Sequence, residues 1–146
     1  DFVGTDGQRL RDCWRDGPLT YLGLQVAGFP NMFMLAGPQS ASLSTNLPRG
    51  IETVVDWASG LFEHAVQHGI HRIEPTPEAQ AEWTAHVKEM YQGLLLRKAK
   101  SWFTGYNSNV EGHDKIRYMI YNGGAPRYRQ RLAEVAQQGY AGFRLG

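Results

Sequence analysis

Chemistry first becomes conceivable where an apolar run, Gly28-Phe29-Pro30-Asn31-Met32-Phe33-Met34-Leu35-Ala36-Gly37, is broken by Pro38. A polar loop from Gln39 to Thr45 follows, and then Asn46, a residue type suited to a helix N-cap. A helix N-terminus at the carboxyl end of a buried strand presents unpaired N–H groups and a positive dipole end, which suits a phosphate or another electron-rich ligand atom. Gly37 and Pro38 read equally well as residues that only turn the chain, and this segment alone leaves both readings open. His64 and His68 stand one helical turn apart with His71 close by, a spacing that invites zinc. The apolar stripe of their helix puts both beside or away from the buried face, and no cysteine or acidic residue recurs at a ligand spacing, so no metal is expected. Arg127, Arg129 and Arg131, interleaved with Tyr128, alternate around a helix and read as a solvated face rather than a nucleic-acid surface. Trp102, Phe103 and Tyr106, in a stretch containing Gly and Asn, form either a stacking platform for a flat ligand or a plug over the core. Cys13 has only Asp12, Trp14 and Arg15 beside it, and no G-x-S-x-G, G-x-G-x-x-G or P-loop occurs. Composition and spacing therefore identify no reaction.

These residues need elements to hold them. Phe2-Val3, Asp6-Gly7 and Arg9-Leu10-Arg11 predict a short β-hairpin. The apolar run before Pro38 predicts a strand buried on both faces of a parallel sheet. Asn46 and Pro48 open a helix whose stripe is Ile51, Val54, Val55, Ala58, Leu61, Phe62 and Ala65, with Gly69 as its stop. Thr76-Pro77-Glu78 opens a second helix with Trp83, Val87, Met90 and Leu94 inward. Residues 98–115 lack a sustained period and predict a long loop, a kind of segment that is usually functional or disordered. Ile116 to Tyr121 is rich in β-branched and aromatic residues and predicts a strand. Pro126 opens a last helix with Tyr128, Leu132, Val135 and Ala136 inward, closed by Gly139. The expected class is α/β, mixed α and β.

With 146 residues, 42% of them hydrophobic, the chain can build one sizeable core. A formal charge of +1 demands neither nucleic acid nor an anionic membrane as partner. One cysteine excludes an intrachain disulfide framework and fits a reducing cytoplasm. No apolar stretch approaches the ~20 residues of a membrane span. The first residues lack the pattern of a signal peptide, and with no initiator methionine the chain is expected to be a fragment that starts inside a strand.

Family motifs run along nearly the whole chain. Gly17-Pro18-Leu19-Thr20-Tyr21-Leu22-Gly23 and Gly28-Phe29-Pro30-Asn31-Met32-Phe33 come first, followed by Ala36-Gly37-Pro38, Asn46-Leu47-Pro48, Ile51-Glu52 and Trp57. Glu82-Trp83, Ser101-Trp102-Phe103-Thr104-Gly105, Gly123-Gly124, Tyr128-Arg129 and Gly139-Tyr140-Ala141-Gly142-Phe143 complete the set. In this order they resemble the last quarter or so of the Baeyer–Villiger monooxygenases.

The resemblance implies a two-dinucleotide-binding-domain, Rossmann-like flavoprotein that uses FAD, NADPH and O2 to turn a ketone into an ester or lactone through a C4a-peroxyflavin. Residues 1–75 would end the FAD-binding domain, and residues 76–146 would pack against the FAD and NADP domains. Gly37, Pro38, Asn46 and Leu47 would lie on the FAD side, and Ser42, Leu43, Ser44 and Leu47 would line the substrate. Trp102 would sit on the mobile loop that closes over the NADPH. The stretch Gly105 to Lys115 is longer than the family's G-A-N-x-P-G-K, with Glu111 where proline is usual and His113 where lysine is usual, so Trp102 alone carries over from it. The glycine-rich fingerprints and the catalytic arginine would lie in a missing N-terminal portion, the obligatory partner. No catalytic residue is assigned within the chain, and by itself it is expected to be inactive. The strand near Met32, deprived of neighbours, would favour a dimer or a swapped assembly. Two alternatives stand: an N-hydroxylating or sulfoxidising flavin monooxygenase, and a non-catalytic interaction module that reuses this segment.

Overall fold

A computed structural model describes residues 1–41 and 45–146. Helices dominate because caps and apolar spacing agree where the sequence places them. After a one-turn helix α1 (Leu10–Cys13), α2 runs Leu47–Gln67, α3 Pro77–Met90 and α4 Ala125–Gln137. Asn46 accepts the Arg49 N–H through its side chain, and Thr76 accepts that of Ala79, so both predicted N-caps form. Gly69 and Gly139 follow α2 and α4 at φ of 64° and 67°, the left-handed turn that stops each helix.

The one ladder of strands among the described residues is antiparallel: β1 (Ile73–Pro75) pairs with β2 (Phe143–Leu145), with Ile73 opposite Leu145 and Pro75 opposite Phe143. Neither strand was expected from the sequence. Asn31 extends this patch in place of a third strand: its backbone N–H reaches Ile73 O at 2.8 Å, its Oδ1 accepts the Ile73 N–H and its Nδ2 donates to His71 O.

Two predicted strands are corrected. Residues 32–36 form no ladder; Met34 N–H donates to Leu24 O at 2.8 Å, and Leu35 and Ala36 lie in an exposed turn. Residues 116–121 are likewise irregular, tied by single bonds to Thr104, Tyr91 and the 39–40 backbone. A strand needs a continuous ladder of bonds to a partner, and these isolated bonds do not make one. The N-terminal hairpin survives as a single antiparallel bridge, Val3 to Arg9, around a 3₁₀ turn at Thr5–Gly7.

The core is formed where α2 crosses α4 and both cover the turn at Tyr21–Gln25. Val54, Trp57, Ala58 and Leu61 meet Leu132 and Val135, while Trp83 and Val87 of α3 close another side. Val55 and Phe62, placed in the expected stripe, point outward, and Trp57 takes their place inside.

Tyr128 ties α4 to the turn by donating its hydroxyl to Leu22 O at 2.6 Å. Burial, with Tyr121 adding a smaller push, holds its phenol well above the ordinary 10.0. Burial raises Tyr21, Tyr91, Tyr121 and Tyr140 too. The folded chain keeps these protons to higher pH than the unfolded chain, so above the ordinary value the unfolded state binds fewer protons and is favoured. The urea midpoint is expected to be flat from about pH 7 to 9 and to fall above about pH 10, less steeply in Tyr128→Phe. An alkaline limb of equal slope in that variant would remove Tyr128 from the account.

Candidate functional site

The predicted flavin side is built on two glycines that let backbones touch. A Cβ on Gly37 would overlap Gly23 O, and one on Gly23 would overlap the backbone of Ser40. Residues 37–40 therefore lie directly on the Tyr21–Gln25 turn, an approach that glycine alone permits. Gly37 and Pro38 do turn the chain, as one reading had it, and they turn it tightly against the core.

Beyond them Gln39 is buried at φ 66°. Its Oε1 accepts from Thr20 N–H at 3.3 Å, Thr20 Oγ1 at 2.8 Å and Thr84 Oγ1 at 3.3 Å, and its Nε2 donates to Pro18 O at 2.9 Å. Sequence reasoning missed this residue, since a glutamine in a polar loop carries no signal of burial. The substrate-lining candidates Ser42, Leu43 and Ser44 lie outside the described residues.

Asn46 and Leu47 stand at the start of α2. Asn46 Oδ1 takes the Arg49 N–H and Pro48 has none to offer, so the cap satisfies part of the helix end and leaves its dipole in place. Leu47 is 43% exposed, an apolar side chain next to a positive helix end.

Trp102 is 63% exposed and stacks on Phe103, with ring centroids 4.1 Å apart and planes 26° from parallel. It is therefore no plug over the core. The buried member of its 3₁₀ turn is Thr104, whose hydroxyl donates toward Ala99 O and Ser101 O, each at 2.8 Å. Gly105 follows at φ 70°, with the Arg117 side chain packed against it. Arg117 then fastens the loop: its N–H reaches Thr104 O at 2.6 Å, and its guanidinium donates to Arg15 O and Gly112 O. The residues by which this loop departs from the family pattern close on themselves, Asn107 N–H bonding His113 O at 2.8 Å.

An exposed leucine beside a positive helix end suits the electron-rich edge of a flavin, and a solvent-facing indole backed by a phenyl ring suits a flat pyridine ring. His64 on α2 and His68 at its C-cap have ring centroids 4.1 Å apart; among the described residues no cluster of three metal-ligating side chains forms. A cleft of about 670 Å³ between α3 and α4, lined by Glu82, Trp83, His86, Tyr121, Arg127 and Arg131 among others, includes none of the predicted site residues.

No family model matches the chain. The phenazine N-monooxygenase PhzNO1 of Lysobacter antibioticus is 44% identical over 99% of this chain and 26% of its own length. The cyclohexanone 1,2-monooxygenase of Acinetobacter sp. is 36% identical over 98% of this chain and 25% of its own. The crystal structure of OTEMO in complex with FAD and NADP superimposes with a TM-score of 0.89 at 34% identity, over 100% of this chain and 26% of that one. The chain thus spans about a quarter of the length of the relatives it matches. Along nearly its whole length, in sequence and in fold, it is homologous to a quarter-length segment of the Baeyer–Villiger monooxygenases and their flavin-dependent relatives.

Proposed function

We propose that the complete protein is a cytoplasmic FAD- and NADPH-dependent monooxygenase that uses O2 to convert a ketone into an ester or lactone. The observation that carries this reading is similarity to such enzymes over 96–99% of the chain at once, rather than at one motif. No helix among the described residues is long and apolar enough to cross a membrane. Residues 1–75 end the FAD-binding domain and 76–146 pack against both nucleotide domains. Gly37 and Pro38 set the turn that delivers Asn46 and Leu47 to the flavin edge, with Ser42, Leu43, Ser44 and Leu47 along the substrate. Trp102 covers the nicotinamide side and keeps water from it. When bound, the reduced flavin supplies the oxygen-activating chemistry; this chain positions and shields. The outward apolar side chains Leu35, Phe62 and Val66 pack against the remainder of the longer protein.

A second reading, oxygenation at nitrogen, is favoured by the 44% identity to a phenazine N-monooxygenase. Purified full-length protein should carry FAD and oxidise NADPH faster when a cyclic ketone is added, with one oxygen recovered in the product. Stimulation by a nitrogen heterocycle and not by ketones would select the second reading. A full-length protein without flavin would leave only a binding module.

A further inference from the structure

The stretch in which this chain departs from its family's pattern is organised around one side chain. Arg117 sends its guanidinium back across the loop that it closes. Nη2 donates to Gly112 O at 3.0 Å and to Arg15 O at 2.9 Å, and Nη1 stands 3.1 Å from both ring nitrogens of His113. A neutral imidazole keeps a lone pair on one of those nitrogens, so the ring completes a socket of acceptors. A lysine, usual at the place of His113, could only donate. No carboxylate pairs with Arg117 among the described residues. These bonds therefore fix a direction rather than neutralise a charge, a task for the planar fork of arginine. The stem is held as closely. A Cβ on Gly105 would come within 2.9 Å of the Arg117 Cβ, and one on Gly17 within 3.5 Å of its Cγ, so the stem lies against two glycines.

Three parts of the fold meet on this residue. Its backbone N–H donates to the carbonyl of Thr104, the last residue of the Trp102 turn, whose hydroxyl bonds to Ala99 O and Ser101 O fold that turn with Trp102 outward. Its side chain holds Gly112 and His113, and His113 O in turn accepts the Asn107 N–H. Arg15 O belongs to the chain just after α1, 102 positions away.

We propose that Arg117 is a positioning residue: its guanidinium clasps the 105–113 stretch to the backbone at Arg15 and so holds the Trp102 turn in a fixed orientation toward the nicotinamide. This rests on the reading of Trp102 given under the proposed function. The added length between Gly105 and Lys115 then has a use, since Gly112 and His113 supply the socket. An arginine that only stabilised the fold would leave NADPH binding alone; a positioning one changes it while the flavin side stays intact.

The test uses the full-length protein and Arg117→Met, which keeps the stem and removes every donor of the guanidinium. Amide hydrogen exchange is expected to rise about tenfold over 102–113 and at 15–17, with the interiors of α2 and α4 unchanged. The KM for NADPH is expected to rise about fivefold while FAD content is unchanged and kcat moves less than twofold, about the pattern of lost positioning in binding. Arg117→Lys restores the charge but cannot reach both carbonyls and the ring at once, so it should recover only part of the KM; it also decides the matter if Arg117→Met does not fold. Full recovery by lysine would assign the effect to charge and overturn the proposal. Exchange that is unchanged over 102–113, or that rises evenly over the molecule, overturns it as well, and so does an unaltered KM. Wild-type protein that oxidises no NADPH would instead overturn the functional reading, and the exchange pattern would still decide whether Arg117 holds the loop.

Discussion

Gly23→Ala is expected to lower the unfolding free energy by about 3 kcal/mol, from a left-handed backbone cost of about 1 kcal/mol and the rest from overpacking. The residue sits at φ 71°, and a Cβ there would overlap the backbone N and Cα of Ser40. Backbone atoms cannot rotate out of the way as a side-chain end can. Ser40 would have to move, and with it the bond that its carbonyl accepts from Tyr121 and the neighbouring bond from Gln39 to Met119. Gly69→Ala supplies the control: its φ is 64°, and nothing lies within 4 Å of the added methyl. It should cost only about 1 kcal/mol, the backbone part alone. Urea denaturation of both variants measures the difference, and equal losses would show that close backbone approach is not what position 23 requires.

Trp57→Ala should cost more, about 4 kcal/mol, the usual range for removing a large buried aromatic. Trp57 joins three elements. Its Nε1–H donates to Leu132 O of α4 at 2.8 Å, and its ring meets Tyr140 edge-on at 5.5 Å and Phe143 of β2 at 5.8 Å. Truncation opens a cavity where α2, α4 and the C-terminal strand converge, and it removes the hydrogen bond as well. Trp57→Phe, which keeps most of the ring area, separates the two contributions and should lose about 1 to 2 kcal/mol. If both variants unfold at the wild-type urea concentration, α4 and β2 are held to α2 by other contacts.

The same tryptophan shows where the sequence stops short. Along α2 two overlapping apolar stripes are available, one through Val54, Trp57, Ala58, Leu61 and Ala65, the other through Ile51, Val55, Ala58 and Phe62. The fold buries the first and turns Val55 and Phe62 outward. A helix that is apolar on two sides satisfies the same periodicity for either face, and only what packs against it chooses.

What the sequence determined by itself is local. Asn46 and Thr76 cap, Pro48 and Pro77 enter first turns, and Gly69 and Gly139 stop helices, because each of these acts on N–H and C=O groups within a few residues. The ordered motifs also identified the family, since they record the chain's relationship directly and need no folding argument. Strands were decided elsewhere. Residues 32–36 and 116–121 have strand composition and join no ladder among the described residues, whereas the real strands, Ile73–Pro75 and Phe143–Leu145, are too short to show alternation and owe their existence to meeting each other across the chain. Trp102 stood out as an aromatic in a loop, yet whether it faced inward or outward depended on Thr104 and Arg117 taking the inner positions. Gln39 was illegible altogether. Its place comes from four hydrogen bonds to residues 19 to 45 positions away, and a polar side chain announces its partners only once tertiary structure has enclosed it.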